Sequence, residues 1–316
     1  MARKPRIHYP GACYHVILRG NGGQDIFFNK QDGNQFFLLL QEGVEKFGHR
    51  IHAYCLMTNH VHLAVQVAEI PLSRIIQNIS FRYSRYVNKR RDRVGHLFQG
   101  RYKAILIDAD NYLLQLVRYI HNNPVRAGIV KTPDKYPWCS HSVYIDDITV
   151  PWLTTEWVLS QFDQQKETAI HYYRSFIHVG KDEGHLTKFH RGNTEGEILG
   201  SDNFAEEAYA KASHELVGKP SIDHIINTVC EHYKIQDKEL TRTSKQRQVS
   251  EPRAMASLLV RESANLSLMD LSRRLSRDLS GLSQAAGRLE KRAKHDKELA
   301  ETIEHIKKLV RERGQA

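Results

Sequence analysis

The chain has 316 residues, enough for two domains or one large one, and 41% of them are apolar, so a sizeable core can form. The formal net charge is +10, with about 20 Lys+Arg against 11 Asp+Glu in residues 1–150, 7 against 11 in 151–220 and 19 against 14 in 221–316. Two basic regions around an acidic middle point to two polyanion-binding surfaces. No stretch approaches a membrane span, and the basic start Met1-Ala2-Arg3-Lys4-Pro5-Arg6 has no apolar run behind it, which excludes a secretory signal and points to a cytoplasmic protein. Cys13, Cys55, Cys139 and Cys230 are scattered, which excludes a cysteine-rich zinc site and argues against a disulfide framework.

In chain order, Tyr14 to Arg19 reads as a strand ending at Gly20-Asn21-Gly22-Gly23. Phe36 to Phe47 has helical apolar spacing and stops at Gly48. Arg50 to Met57 and His60 to Val67 read as a hairpin turning at Thr58-Asn59. Pro71 opens a long helix, and Arg101 to Ile107 is a fourth strand. The order β-α-β-β-α-β is the split βαβ arrangement of a ferredoxin-like antiparallel sheet, an α+β class. A helix from Asp110 to about Asn123 is expected to stop before Pro124. Residues 151–180 read as a helical extension, so the first domain spans 1–180. Residues 181–218 read as a linker with at most one short helix, near Phe204–Leu216. From 219 to 316 the pattern is all-α, and Ser267 to Arg288 has the length of a helix–turn–helix.

The chemistry gathers at His60 and His62. On a strand, a period of two places both imidazoles on one face, and two neutral imidazoles can share a divalent ion. On the helix from Asp110, Tyr112, Tyr119 and Asn123 line one flank, so Tyr119 can act as a nucleophile beside an Asn123 carbonyl that reaches the ion. Each feature also has a plainer origin. The histidines can be a packing pair, Tyr119 an amphipathic-helix tyrosine, and Asn123 a helix C-terminal residue. On the long helix, Arg74, Arg82, Arg85 and Lys89 are spaced to track a phosphate backbone, with Tyr83 and Tyr86 nearby for base stacking. Arg90, Arg91 and Arg93 suit phosphate contact rather than base reading.

The segments Tyr14-His15-Val16-Ile17-Leu18-Arg19-Gly20-Asn21, Met57-Thr58-Asn59-His60-Val61-His62, Leu97-Phe98-Gln99-Gly100-Arg101-Tyr102 and Tyr119-Ile120-His121-Asn122-Asn123-Pro124-Val125-Arg126-Ala127-Gly128 resemble the REP-associated tyrosine transposases. These are single-tyrosine HUH nucleases, and the resemblance covers about residues 1–180. It implies that His60 and His62 bind Mg²⁺ or Mn²⁺, that Asn123 completes the metal site, and that Tyr119 cuts single-stranded DNA through a 5′-phosphotyrosine. It implies repetitive extragenic palindromes as targets, with Arg101 among the DNA-binding residues, in a bacterial, nucleoid-associated protein.

Ser250-Glu251-Pro252-Arg253-Ala254-Met255-Ala256 through Asn265-Leu266-Ser267-Leu268 resembles the DNA-binding domain of the replication initiator DnaA, over about residues 221–291. That resemblance implies duplex DNA as a partner, with Arg247, Arg253, Arg277 and Ser280 as contacts. It departs from the family at Asp278-Leu279-Ser280, where the family carries a histidine in place of Leu279. The leading expectation is a strand transferase acting through Tyr119. A non-enzymatic DNA-binding regulator and a metal-dependent nuclease using water are the competing readings. The oligomeric state, monomer or dimer, is left open by the sequence.

Overall fold

The computed structural model describes residues 7–146, 148–192, 197–217, 220–242, 247–263 and 266–313, the side chains of 214–217, 247 and 311–313 aside. The chain divides into two compact units, Met1–Ala212 and Ser213–Ala316.

The first unit is built on a five-stranded sheet. Its elements are β1 (Cys13–Arg19), α1 (Lys30–Phe47), β2 (Arg50–Met57), β3 (His60–Gln66), α2 (Leu72–Arg90), β4 (Lys103–Ile107), α3 (Ala109–His121), α4 (Asn123–Arg126) and, further on, β5 (Ile198–Leu199). The strand order is β2-β3-β1-β4-β5. The first four strands run antiparallel, and β5 lies parallel to β4. This is the split βαβ arrangement expected, with one extra edge strand.

Register decides what each face carries. Ile17 opposes His62 and His15 opposes Ala64, so these side chains share one face, while Val16–Leu63 and Leu18–Val61 share the other. On the second face α2 contributes Tyr83, fully buried against Phe27 and Phe36, its hydroxyl donating to the Ile26 carbonyl at 2.7 Å. Tyr83 is therefore a core residue and not a stacking platform. Helix α3 packs on β2 and β3 and brings Tyr119 to the histidine face.

Two boundaries differ from the sequence reading. The helix from Asp110 ends at His121, and Asn122, at φ −84° and ψ 1°, breaks it. Pro124 then sits in the first turn of α4. Proline lacks only an N–H that a first turn leaves unbonded anyway, so it starts a helical turn here instead of ending one. The segment 181–218 is not a linker. It supplies a helical turn at Lys188–Arg191, strand β5 and the helix Asp202–Val217, burying Phe189, Ile198, Leu199 and Ala208. A four-residue helix and a two-residue strand are too short to show a period, which is why their composition reads as loop.

Away from the histidine face, a second polar cluster is sealed in the core. His121 bonds the Tyr173 hydroxyl at 2.5 Å through Nδ1 and the Ser140 hydroxyl at 2.7 Å through Nε2. His141 Nδ1 reaches the same Tyr173 hydroxyl at 3.1 Å. Burial depresses His49 and His141 to about 4 and holds His121 well below the usual imidazole range. These groups are neutral when folded and take up protons below about pH 6.5 when unfolded. Stability is then complete above that pH and is lost as pH falls toward 4, by up to ~1.4 kcal/mol per pH unit for each such histidine. Urea midpoints measured from pH 7.5 to 4.5 should fall monotonically. A flat profile would show that these histidines protonate within the fold.

The second unit is all helical: Ile222–Tyr233, Asp237–Thr241, Arg247–Glu262, Leu268–Leu275, Leu279–Ala293 and Lys297–Arg313. The last helix was not expected, though Leu299, Ile303, Ile306 and Val310 make its buried stripe. Leu268–Leu275 and Leu279–Ala293 form the helix–turn–helix. Ser267 caps the first by accepting from the Asp270 amide at 3.2 Å, and Asp278 caps the second by accepting from the Gly281 amide at 2.8 Å. Ser276, in the left-handed region at φ 52°, reverses the chain between them. All four cysteines are free and buried. Among the described residues, no helix is long and apolar enough to cross a membrane.

Candidate active site

His60 opens β3 and His62 follows on the same face, their ring centroids 5.0 Å apart. A chain of hydrogen bonds sets their tautomers. The Phe189 carbonyl is 2.7 Å from His15 Nδ1, so that nitrogen carries the proton and donates. His15 Nε2 is left as an acceptor and takes the proton of His62 Nδ1 at 2.8 Å. His60 Nδ1 donates to Asn59 Oδ1 at 2.6 Å, while Asn59 Nδ2 donates to the Gly23 carbonyl at 3.1 Å. Both His60 and His62 thus keep a free lone pair on Nε2.

Their charge state agrees. Burial, with Arg19 nearby, lowers His60 to about 4. Burial, then the neighbouring His15, His60, His190 and Arg126, holds His62 well below the ordinary range. Two neutral imidazoles fit a divalent cation and leave it room for water and phosphate oxygens. Among the described residues, no cluster of three His, Cys, Asp or Glu is arranged to hold a metal.

Tyr119 lies against His62, their ring centroids 6.1 Å apart. Its ring is buried, and its hydroxyl is hydrogen-bonded to His190 Nε2 at 2.7 Å. The Arg126 guanidinium sits 3.9 Å from the Tyr119 ring centroid and donates from Nη2 to the Tyr119 carbonyl at 2.7 Å. Burial raises the phenol above its usual range, and the Arg126 charge opposes that rise.

Asn123 does not take the place expected of it. Its Nδ2 donates to the carbonyls of Tyr119 at 3.2 Å and Ile120 at 3.3 Å, and its Oδ1 accepts from Arg126 Nη2 at 2.8 Å. The helix break at Asn122 puts Asn123 over the open end of α3, where unpaired carbonyls attract its amide. Tyr112 is half-buried beside Lys188, whose Nζ lies 5.3 Å from its ring centroid.

Three residues here were given no role from the sequence. His15 and Arg126 lie within quoted motifs, but nothing in their spacing shows that they face His62 and Tyr119. His190 lies 71 residues from Tyr119, in the stretch read as linker.

The expected DNA-contact residues separate into free and engaged. On α2, Arg85, Lys89 and Arg82 are exposed and Arg74 is half-buried. Arg82 pairs with Glu42 at 2.5 Å, and the Arg85 guanidinium lies 5.7 Å from the Phe81 ring. Phe81 is 60% exposed and borders a groove of about 500 Å³ between α2 and residues 95–102, lined also by Ser73, Gln77, Ser84 and Arg101. Tyr86 is bonded through its hydroxyl to Arg90 at 2.8 Å, and Arg90 also pairs with Asp32 at 3.1 Å. Arg91 stacks on Phe28 at 3.7 Å and Arg93 donates to Gln24 at 2.8 Å. The phosphate contacts expected of these last three therefore compete with bonds inside the fold.

In the second unit, Arg253 donates to the carbonyls of Leu240 at 2.9 Å and Arg242 at 2.8 Å, bracing the Asp237–Thr241 turn. Arg277 is half-buried in the turn of the helix–turn–helix, its Nε and Nη2 without a hydrogen-bond partner. Ser280 is exposed and donates to Asp278 Oδ2 at 2.5 Å, beside the exposed Leu279. The Arg247 side chain lies outside the described residues.

With this geometry in hand, residues 9–123 match the family model of the IS200-like transposases. Residues 222–288 match the family model of the bacterial DnaA helix–turn–helix. Among solved structures, the chain is similar to a REP-associated tyrosine transposase bound to a REP hairpin, at 14% identity and a TM-score of 0.40, over 49% of this chain and 98% of that one. No curated protein matches the chain. The IS200-like match ends at Asn123, so His190 and Arg126 lie outside it.

Proposed function

We propose that this transposase-type protein nicks and rejoins single-stranded DNA at hairpins, through a 5′-phosphotyrosine on Tyr119. The observation that carries the reading is a tyrosine ring 6.1 Å from His62, which with His60 makes a pair of neutral imidazoles whose Nε2 lone pairs are free. In the nicking step, Tyr119 Oη attacks phosphorus and the P–O3′ bond breaks. The 5′ phosphate stays on the protein and the other strand end leaves as a 3′ hydroxyl. The phosphodiester is exchanged, not hydrolysed, so its energy is kept for rejoining. His60 and His62 would hold Mg²⁺ or Mn²⁺, which when bound polarises the phosphate and stabilises the departing oxygen. Arg126 keeps a positive charge beside the phenol as it loses its proton.

The groove beside α2 suits an unpaired strand. Phe81 offers an exposed π face, with Arg85, Lys89 and Arg101 around it for phosphates. Phe81→Ala should weaken single-strand binding by about 1–3 kcal/mol while leaving duplex binding unchanged. Fluorescence anisotropy with a single-stranded and a duplex probe is the check, and equal loss on both would place the strand elsewhere. The second unit reads duplex DNA through the helix Leu279–Ala293, with Arg277 and Ser280 at its entry. Leu279 cannot supply a histidine's hydrogen bond, so its site differs from the initiator's own box.

The test is covalent. DNA hairpins with a short single-stranded flank, labelled at the 3′ end, are incubated with the protein and Mn²⁺ and run on a denaturing protein gel. Label travelling with the protein supports the phosphotyrosine. Label released as free cleaved DNA marks a water-using nuclease, and uncut DNA marks a binding protein.

A further inference from the structure

We infer that His190 is a catalytic residue, the proton acceptor for Tyr119 when the phenol attacks DNA. This rests on the reading of Tyr119 as nucleophile. The Tyr119 hydroxyl is hydrogen-bonded to His190 Nε2 at 2.7 Å, within the reach general-base catalysis needs, with the Arg126 guanidinium also against the phenol. In the tautomer that carries its proton on Nδ1, His190 presents the Nε2 lone pair to the hydroxyl, so the acceptor is in place before substrate arrives.

The placement is built, not incidental. Phe189, fully buried, anchors the helical turn Lys188–Arg191, and its carbonyl accepts from His15 at the back of the histidine chain. Gly192 follows at φ 71°, where any Cβ would come within 2.2 Å of the Ile198 carbonyl oxygen, so only glycine lets the chain return into β5 there. Those two anchors hold His190 from both sides. The His185 ring stacks on its outer face at 4.2 Å between centroids. His190 itself is half-exposed, which gives the accepted proton a route to solvent.

The step balances. The Oη–P bond forms, the phenol proton moves to Nε2, and the P–O3′ bond breaks with its electron pair on O3′, which takes a proton from water. In rejoining, the 3′ hydroxyl loses its proton to water, its oxygen attacks phosphorus, and the His190 imidazolium returns its proton to Tyr119. Histidine is thereby restored as the phosphodiester re-forms.

The experiment compares single-turnover rates of adduct formation on a 3′-labelled hairpin for the wild-type protein, Tyr119→Phe, His190→Ala and His190→Gln. Each is also made with 3,5-difluorotyrosine at position 119 in place of tyrosine, Tyr119→Phe excepted. Hairpin binding serves as the control for folding. Expected is no adduct with Tyr119→Phe, and a loss of roughly a hundredfold or more in both His190 variants with binding kept. The more acidic phenol should restore the His190 variants by at least tenfold more than it changes wild type, because a readily ionised phenol needs no base. His190 variants within twofold of wild type would overturn the inference while leaving Tyr119 standing. Slow variants that the fluorinated phenol fails to restore would also overturn it, reducing His190 to packing. An adduct formed by Tyr119→Phe would instead overturn the nucleophile, and the role of His190 with it.

Discussion

Tyr119→Phe is expected to abolish the covalent adduct while leaving hairpin affinity within twofold of wild type. The substitution removes one oxygen and one hydrogen bond, to His190, from a ring that stays packed under Arg126. Its cost in stability is therefore about 1 kcal/mol, whereas its effect on nicking is total, because phenylalanine has no atom that can attack phosphorus. Tyr112, on the same flank of α3, is the comparison. It lies beside Lys188, and Tyr112→Phe should keep the adduct. An adduct retained by Tyr119→Phe and lost in Tyr112→Phe would move the nucleophile two turns earlier.

The second large effect is expected at the histidine pair. His60→Ala and His62→Ala should each remove Mn²⁺ binding by calorimetry and all divalent-dependent nicking. They should differ in stability. His62 is buried and gives its Nδ1 proton to His15, so its loss strands the His15 acceptor and lowers stability by roughly 1–3 kcal/mol. His60 is half-buried and bonded only to the adjacent Asn59, so its loss should change stability by roughly 1 kcal/mol or less. Asn123→Ala should lower stability through the α3 end and Arg126 while leaving Mn²⁺ affinity unchanged. Unchanged Mn²⁺ affinity in either histidine variant would remove the metal from the site.

What was legible in the sequence follows the range of the forces involved. The order of strands and helices through Ile107 could be read because a period of two or 3.6 survives wherever one face is buried, as in His60-Val61-His62-Leu63. Tyr119 beside His60 and His62 was legible only as chemistry on two separate elements, brought together by β3 pairing and by α3 packing across it. The bonds Asn123 makes to the end of α3 and to Arg126 turn on a local break at Asn122, which spacing along an ideal helix does not foresee. His190 was out of reach. Its bond to Tyr119 depends on a buried Phe189 and a glycine return at 192, in a segment whose composition looks like solvent-facing loop. The core role of Tyr83 was hidden in the same way, since a tyrosine on a basic helix looks alike whether it faces Phe36 or water.

Strand β5 has a consequence beyond the site. It covers the outer edge of β4, whose Leu106 and Asp108 amides donate to the carbonyls of Glu197 at 2.9 Å and Leu199 at 2.8 Å. At the opposite margin, the Leu56 amide donates to the Trp138 carbonyl at 2.8 Å and the Thr154 amide to the Ile51 carbonyl at 2.9 Å. The sheet therefore presents no long bare strand to solvent on either side. A chain shortened at residue 180, where charge and composition suggest a domain ends, would expose a hydrophobic β4 as an unpaired template. Such an edge recruits strands from other molecules. Pairing at Glu197–Leu199 thus hems the sheet, closing the β4 edge to strands of other molecules.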